Sequence, residues 1–159
     1  MRGFWLVLVL AVALLGSGSA PAQTLTLTFV SDGSGIGLSG SGTDAASMSL
    51  GTVQALGGTV PSGVTQQTDA TSFTLSTPIG VEVMHSGSVS LSYTLTGKLL
   101  FSDSENTWKI NAVTLSTSAA TITSSGAYGL TASNFSLTVP FSASAGSISN
   151  TISFTVTSN

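Results

Sequence analysis

Apolar and hydroxyl-bearing residues alternate along this chain. Leu25, Leu27 and Phe29 interleave with Thr24, Thr26 and Thr28, and Val89, Leu91, Tyr93 and Leu95 with Ser90, Ser92 and Thr94. A period of two puts one set on each face of an extended backbone, so the spacing predicts half-buried β-strands. The first runs over Gln23–Val30 and is followed by a glycine-rich loop, Ser31–Ala46. A second covers Ser47–Val53, with Met48, Leu50 and Val53 apolar, before a loop over Gln54–Asp69. Thr71–Ser76 carries Phe73 and Leu75, and Pro78 interrupts the pattern before Ile79, Val81 and Val83 resume it. Proline cannot donate to a ladder, so Pro78 marks an edge, a bulge or a change of sheet.

Ser88–Phe101 is the longest predicted strand, closed by the polar turn Ser102–Asn106 and a return over Thr107–Leu115. Ala120–Thr123, Asn134–Phe141 and Thr151–Thr157 complete the series. No stretch beyond the N-terminal run has a helical period, and Gly, Ser and Thr fill the connections. The expected fold is all-β: an immunoglobulin-like β-sandwich of seven to nine strands with Greek-key connections, a closed barrel being the rival.

The N-terminus has a different pattern. One charge, Arg2, precedes the apolar run Phe4–Leu15 and the small, polar stretch Gly16–Ala22. This layout predicts a secretory signal peptide over residues 1–22, cleaved before Gln23 or, alternatively, after Ala20. The run is short for a bilayer span, which needs about 20 apolar residues. A single domain over residues 23–159 then remains, secreted to the periplasm or the extracellular surface, with no membrane insertion of the mature chain expected. The chain has no cysteine, so its sheets must hold without disulfides.

Charge is scarce. Beyond the leader, Lys98 and Lys109 face Asp32, Asp44, Asp69, Glu82, Asp103 and Glu105. A nucleic-acid or anionic-membrane partner requires basic clusters, and none is present. Scarce charge also leaves strand edges with little protection against pairing with other chains. Such a chain closes its sheets, aggregates, or associates through its strands.

Little in the inventory supports catalysis. His85 is the one histidine, near a strand end, and no G-x-S-x-G elbow marks a nucleophile among the many serines. No catalytic residue, cofactor or metal centre is assigned, and the chain reads as non-enzymatic. Asp103 and Glu105 have a spacing compatible with a weak Ca²⁺ loop, although Asp, Ser and Asn are also ordinary turn residues. Asp32–Gly35 reads as a turn. Trp108, Tyr93 and Tyr128 raise the alternative of a sugar platform, but Trp108 and Tyr93 are in phase with the core residues of their strands. Met84 falls on the solvent face of its strand with Glu82, an apolar exception there.

The C-terminal stretch Leu137-Thr138-Val139-Pro140, the small residues Ser142–Gly146 and the closing strand Ser149–Thr157 resemble the ending of secreted bacterial fimbrial-type subunits, the spore-coat-U-like family and its cysteine-free relatives. Leu50-Gly51-Thr52-Val53 and Ser72-Phe73-Thr74-Leu75 resemble two earlier segments of those domains. The resemblance implies an immunoglobulin-like sandwich completed by a strand from a secretion chaperone or a neighbouring subunit. Gln23–Val30 has the chemistry of a donated strand, with Leu25, Leu27 and Phe29 as anchors and the glycine-rich Ser31–Gly42 as hinge. It also suits the first strand of its own domain. The expected function is a structural subunit that associates through strand edges as a fimbrial or surface-coat component. The alternative is a monomeric extracellular module that binds carbohydrate or another surface ligand.

Overall fold

The computed structural model describes residues 7–12 as backbone, and 24–87 and 90–159 in full. The expected cleavage stretch Ala20–Ala22, Gln23, and Ser88–Val89 lie outside the described residues. The chain is all-β. Strands β1 (Val7–Val12), β3 (Ser47–Ser49), β6 (Tyr93–Leu99), β9 (Ala120–Gly126) and β11 (Asn150–Ser158) form sheet A, in the order β3-β1-β11-β6-β9. Strands β2 (Thr24–Val30), β5 (Ser72–Ser86), β10 (Gly129–Pro140), β7 (Thr107–Ile110) and β8 (Val113–Thr114) run in that order through sheet B, with β4 (Thr65–Thr68) paired to β5.

The two sheets share one apolar core. Leu27, Phe29, Ile79, Val83, Phe135 and Leu137 enter it from sheet B, and Met48, Leu95, Ile152, Phe154 and Val156 from sheet A. The Phe29 and Phe154 rings meet across it at 5.2 Å. Alternation decides which residues enter: Thr74, Ser76, Thr96 and Thr155 take the outer positions between buried neighbours.

Several strands differ from the sequence reading. The segments either side of Pro78 form one strand, β5, paired with β10 along its length from Ser72 to Val83. On its other side, the β4 ladder ends at Ser76 and the β2 ladder begins at Gly80. Pro78 sits in the gap between these neighbours, where a missing N–H donor does least harm. The loops fill the gap. The hydroxyl of Thr77, fully buried, accepts from the Ile36 N–H at 2.8 Å and donates to the Gly63 carbonyl at 2.8 Å. Gly35 lies so close to the Pro78 carbonyl that a Cβ there has no room.

The run Thr107–Leu115 is also divided. Asn111 and Ala112 take φ of 49° and 68°, making the two-residue turn between β7 and β8 that closes at Ile110↔Val113. β3 and β6 are shorter than expected, and Leu91, assigned to an inward position, lies in a bend with 98 % of its surface exposed. β9 and β10 extend beyond the predicted segments, and β4 lies inside a predicted loop.

Candidate functional site

The unusual place in this fold is the second strand position of sheet A. β1 lies between β3 and β11, antiparallel to β3 and parallel to β11, whereas every other pairing between named strands is antiparallel. Its register sets Leu8 opposite Asn150, Leu10 opposite Ile152 and Val12 opposite Phe154. On its other side Leu8 is opposite Met48. Met48, Ile152 and Phe154 are core residues, so positions 8, 10 and 12 share the register of the apolar face. β1 therefore completes a pair of ladders, one on each side.

This segment belongs to the run that the sequence assigns to a secretion leader. Neighbouring strands in a sheet are about 4.8 Å apart, so without β1 the facing edges of β3 and β11 stand about 10 Å from each other, too far to bond directly. The position then offers backbone donors and acceptors on both sides, between strands that carry the buried Met48, Ile152 and Phe154. An extended segment with apolar residues at alternate positions fits that chemistry.

The three donor-strand candidates lie elsewhere. Leu25, Leu27 and Phe29 are buried on β2, the outermost strand of sheet B, which pairs antiparallel with β5 from Leu25↔His85 to Phe29↔Val81 and beyond. β2 is thus held within its own chain. Its other side is touched by the glycine-rich loop, through the Phe29 N–H to the Thr43 carbonyl at 2.8 Å and the Gly42 N–H to the Phe29 carbonyl at 2.6 Å. The spacing of its anchors, Leu25-x-Leu27-x-Phe29, repeats that of Leu8-x-Leu10-x-Val12 in β1.

The acidic pair has a different role. Asp103 accepts from the Trp108 Nε1–H at 2.7 Å, from the Asn106 side-chain amide at 2.9 Å, and from the backbone N–H groups of Glu105 and Asn106 at 3.1 and 2.9 Å. Partial burial pushes its pKa up, but these hydrogen bonds outweigh burial and hold it below the ordinary carboxylate value. The carboxylate locks the turn and satisfies a buried indole, while Glu105 stays exposed. Among the described residues no three His, Asp or Glu side chains are grouped as a metal site requires.

Nor do the aromatic candidates form a surface platform. Trp108 is fully buried, and Tyr93 nearly so. Tyr128 is half-buried between His85, whose ring centre is 4.5 Å away, and Tyr93 at 5.4 Å. Met84 is 52 % exposed, as its outer-face position predicts, and Leu130 is exposed on the adjoining strand opposite Glu82.

The sequence reading missed the strand position itself, because the apolar run was assigned to the leader and set aside. No alternation marks it, because every residue from Phe4 to Leu15 is apolar. No protein-family model matches the chain, and no curated protein matches it. Among the described residues no helix is long and apolar enough to cross a membrane.

Proposed function

We propose that this protein is a secreted, non-enzymatic structural subunit that associates through its β-strands, as components of surface fibres or coats do. The observation that carries this reading is the second strand position of sheet A, between β3 and β11, whose occupant is part of the predicted leader. Leader removal leaves a five-position groove facing Asn150–Phe154, and a strand from another chain restores both ladders. Refilling it with three apolar side chains contributes roughly 1.5–3 kcal/mol for each one buried.

The finer fold reading is an immunoglobulin-like sandwich with Greek-key connections. Its support is that the chain passes repeatedly between sheets: β5 in B, β6 in A, β7 and β8 in B, β9 in A, β10 in B, β11 in A.

Two sources supply the strand: a secretion chaperone during export, and β2 of a second copy during assembly. Leu25, Leu27 and Phe29 have the required spacing, and in moving β2 gives up its ladder with β5 and the loop bonds at Thr43 and Gly42 in exchange for the groove. At home it has one strand neighbour, β5, whereas the groove offers two. The move transfers the vacancy from inside one sheet to the edge of the other, where one strand rather than two is left unpaired.

Light scattering on a sizing column tests the reading with the processed chain beginning at Gln23. Polymers that shorten when excess peptide Thr24–Val30 is added are the expected result. A stable monomer with or without the peptide overturns it, and saturable glycan binding by that monomer would install the binding-module alternative.

A further inference from the structure

We propose that the N-terminal apolar segment is a placeholder: in the unprocessed chain Val7–Val12 closes sheet A, and leader cleavage is the step that opens the position to a strand from another chain. The inference rests on the assembly reading and names its regulation.

The topology makes this an interior closure. β1 is bounded by β3 and β11, so its departure breaks two ladders whose partner residues include the buried Met48, Ile152 and Phe154. Its covalent attachment is also separable from the rest of the fold. The residues between Val12 and Thr24 include the expected cleavage point, so hydrolysis of the Ala22–Gln23 bond by a signal peptidase and water cuts β1 from the chain and leaves every other strand intact.

Before the cut, the tether keeps β1 at a high effective concentration beside its groove, about millimolar for short flexible links. Afterwards the segment is held only by its own contacts and competes with free strands at their bulk concentration. Cleavage thus changes a self-completed monomer into an acceptor without any rearrangement of the remaining sheet. The same change times assembly to follow export.

Hydrogen exchange on the purified, folded full chain tests this at Met48, Ile152 and Phe154, because the flanking Ser47 bonds Ser39 and Thr151 bonds Leu100 on the far side of their strands, which leaves these three amides towards β1. Leu10 is in register with the buried Ile152, and Ala11 with the half-buried Ser153. The unaltered chain and Ala11→Asp should protect these amides. Leu10→Asp should lose the protection and regain it when a synthetic peptide of residues 6–14 is added. Treating the unaltered chain with signal peptidase should then release polymers that excess peptide suppresses.

Protection in Leu10→Asp equal to that in the unaltered chain, without peptide, overturns the placeholder. Polymers formed as fast by uncleaved as by cleaved chains also overturn it, while leaving the assembly reading in place. A cleaved chain that loses protection at Ile152 and Phe154 yet stays monomeric supports the placeholder and removes the assembly reading instead.

Discussion

Thr77 shows how a single hydroxyl can stand in for a strand. It lies where β5 lacks a neighbour on one side, and its Oγ1 serves a backbone donor at Ile36 and a backbone acceptor at Gly63. Thr77→Val keeps the shape and strands both groups in a buried site, which should cost about 2–4 kcal/mol, since each unsatisfied buried group costs roughly 1–3. Urea denaturation will measure it. Thr74→Val makes the control, because its hydroxyl meets Thr138 at 2.8 Å on the outer face. There the loss should stay below about 1 kcal/mol. Equal losses would mean that the Thr77 bridge adds nothing special.

Asp69 should be the carboxylate most responsive to acid. Its carboxylate accepts from the Thr71 N–H at 2.7 Å, the Ser72 hydroxyl at 2.8 Å and the Ser72 N–H at 2.7 Å, holding its pKa down at about 2, below the ordinary carboxylate value. A carboxylate depressed by folding stabilises the native state above its unfolded pKa, and that contribution is lost as pH falls through the folded value. Stability should therefore drop between about pH 4 and pH 2 as Asp69 protonates, with Asp103 adding in the same direction. Asp69→Asn should flatten part of that slope in acid titrations followed by circular dichroism. An unchanged slope would assign the acid response to other carboxylates.

At the scale of the element, the β7–β8 turn departs from the residues its geometry prefers. Both of its residues have positive φ, a conformation that suits Asn-Gly, yet Ala112 occupies the second place. Ala112→Gly should stabilise the protein by about 0.5–1 kcal/mol, the left-handed strain on Ala outweighing the larger chain entropy of Gly. A lower denaturation midpoint for this variant would contradict the prediction. Asn111 should be kept, because its amide donates to Ser133 at 3.2 Å and its carbonyl accepts from the Asn134 N–H at 2.8 Å.

The same turn shows where sequence legibility ends. Trp108, Ile110 and Leu115 are buried as their phase predicts, but nothing in Asn-Ala announces a reversal, so one long strand was read where two short ones exist. Pro78 misled in the opposite direction. A proline inside a strand reads as a break, and only the gap between the β4 and β2 ladders, a tertiary feature, explains its place within β5. Leu25, Leu27 and Phe29 were legible as an apolar strand face. Pairing with β5 was not, because alternation fixes which residues turn inward and leaves the neighbour unspecified. Asp103 was legible as a turn residue, while its bond to the Trp108 indole depends on the return of the chain.

At the scale of the molecule, the proposed assembly asks why so lightly charged a sheet protein would associate at one place. The outer strands are blunted without charge: β3 and β8 are very short, β9 pairs with β6 through register shifts, and β2 is bridged by the loop at Thr43. Short, bulged or covered edges make poor templates for foreign strands. The interior position beside β11 differs, because under the proposed processing it would be left with two facing ladders there. Association at this groove draws on backbone hydrogen bonds and apolar burial, and beyond the leader the chain has only Lys98 and Lys109 as cations. Screening should then matter little: from dilute buffer to about 1 M sodium chloride, polymer growth of the processed chain should change by no more than about twofold, although the Debye length falls to about 3 Å. A steep decline with salt would place the contact at Lys98, Lys109 and their acidic counterparts, and would move assembly from the groove to the outer faces of the sheets.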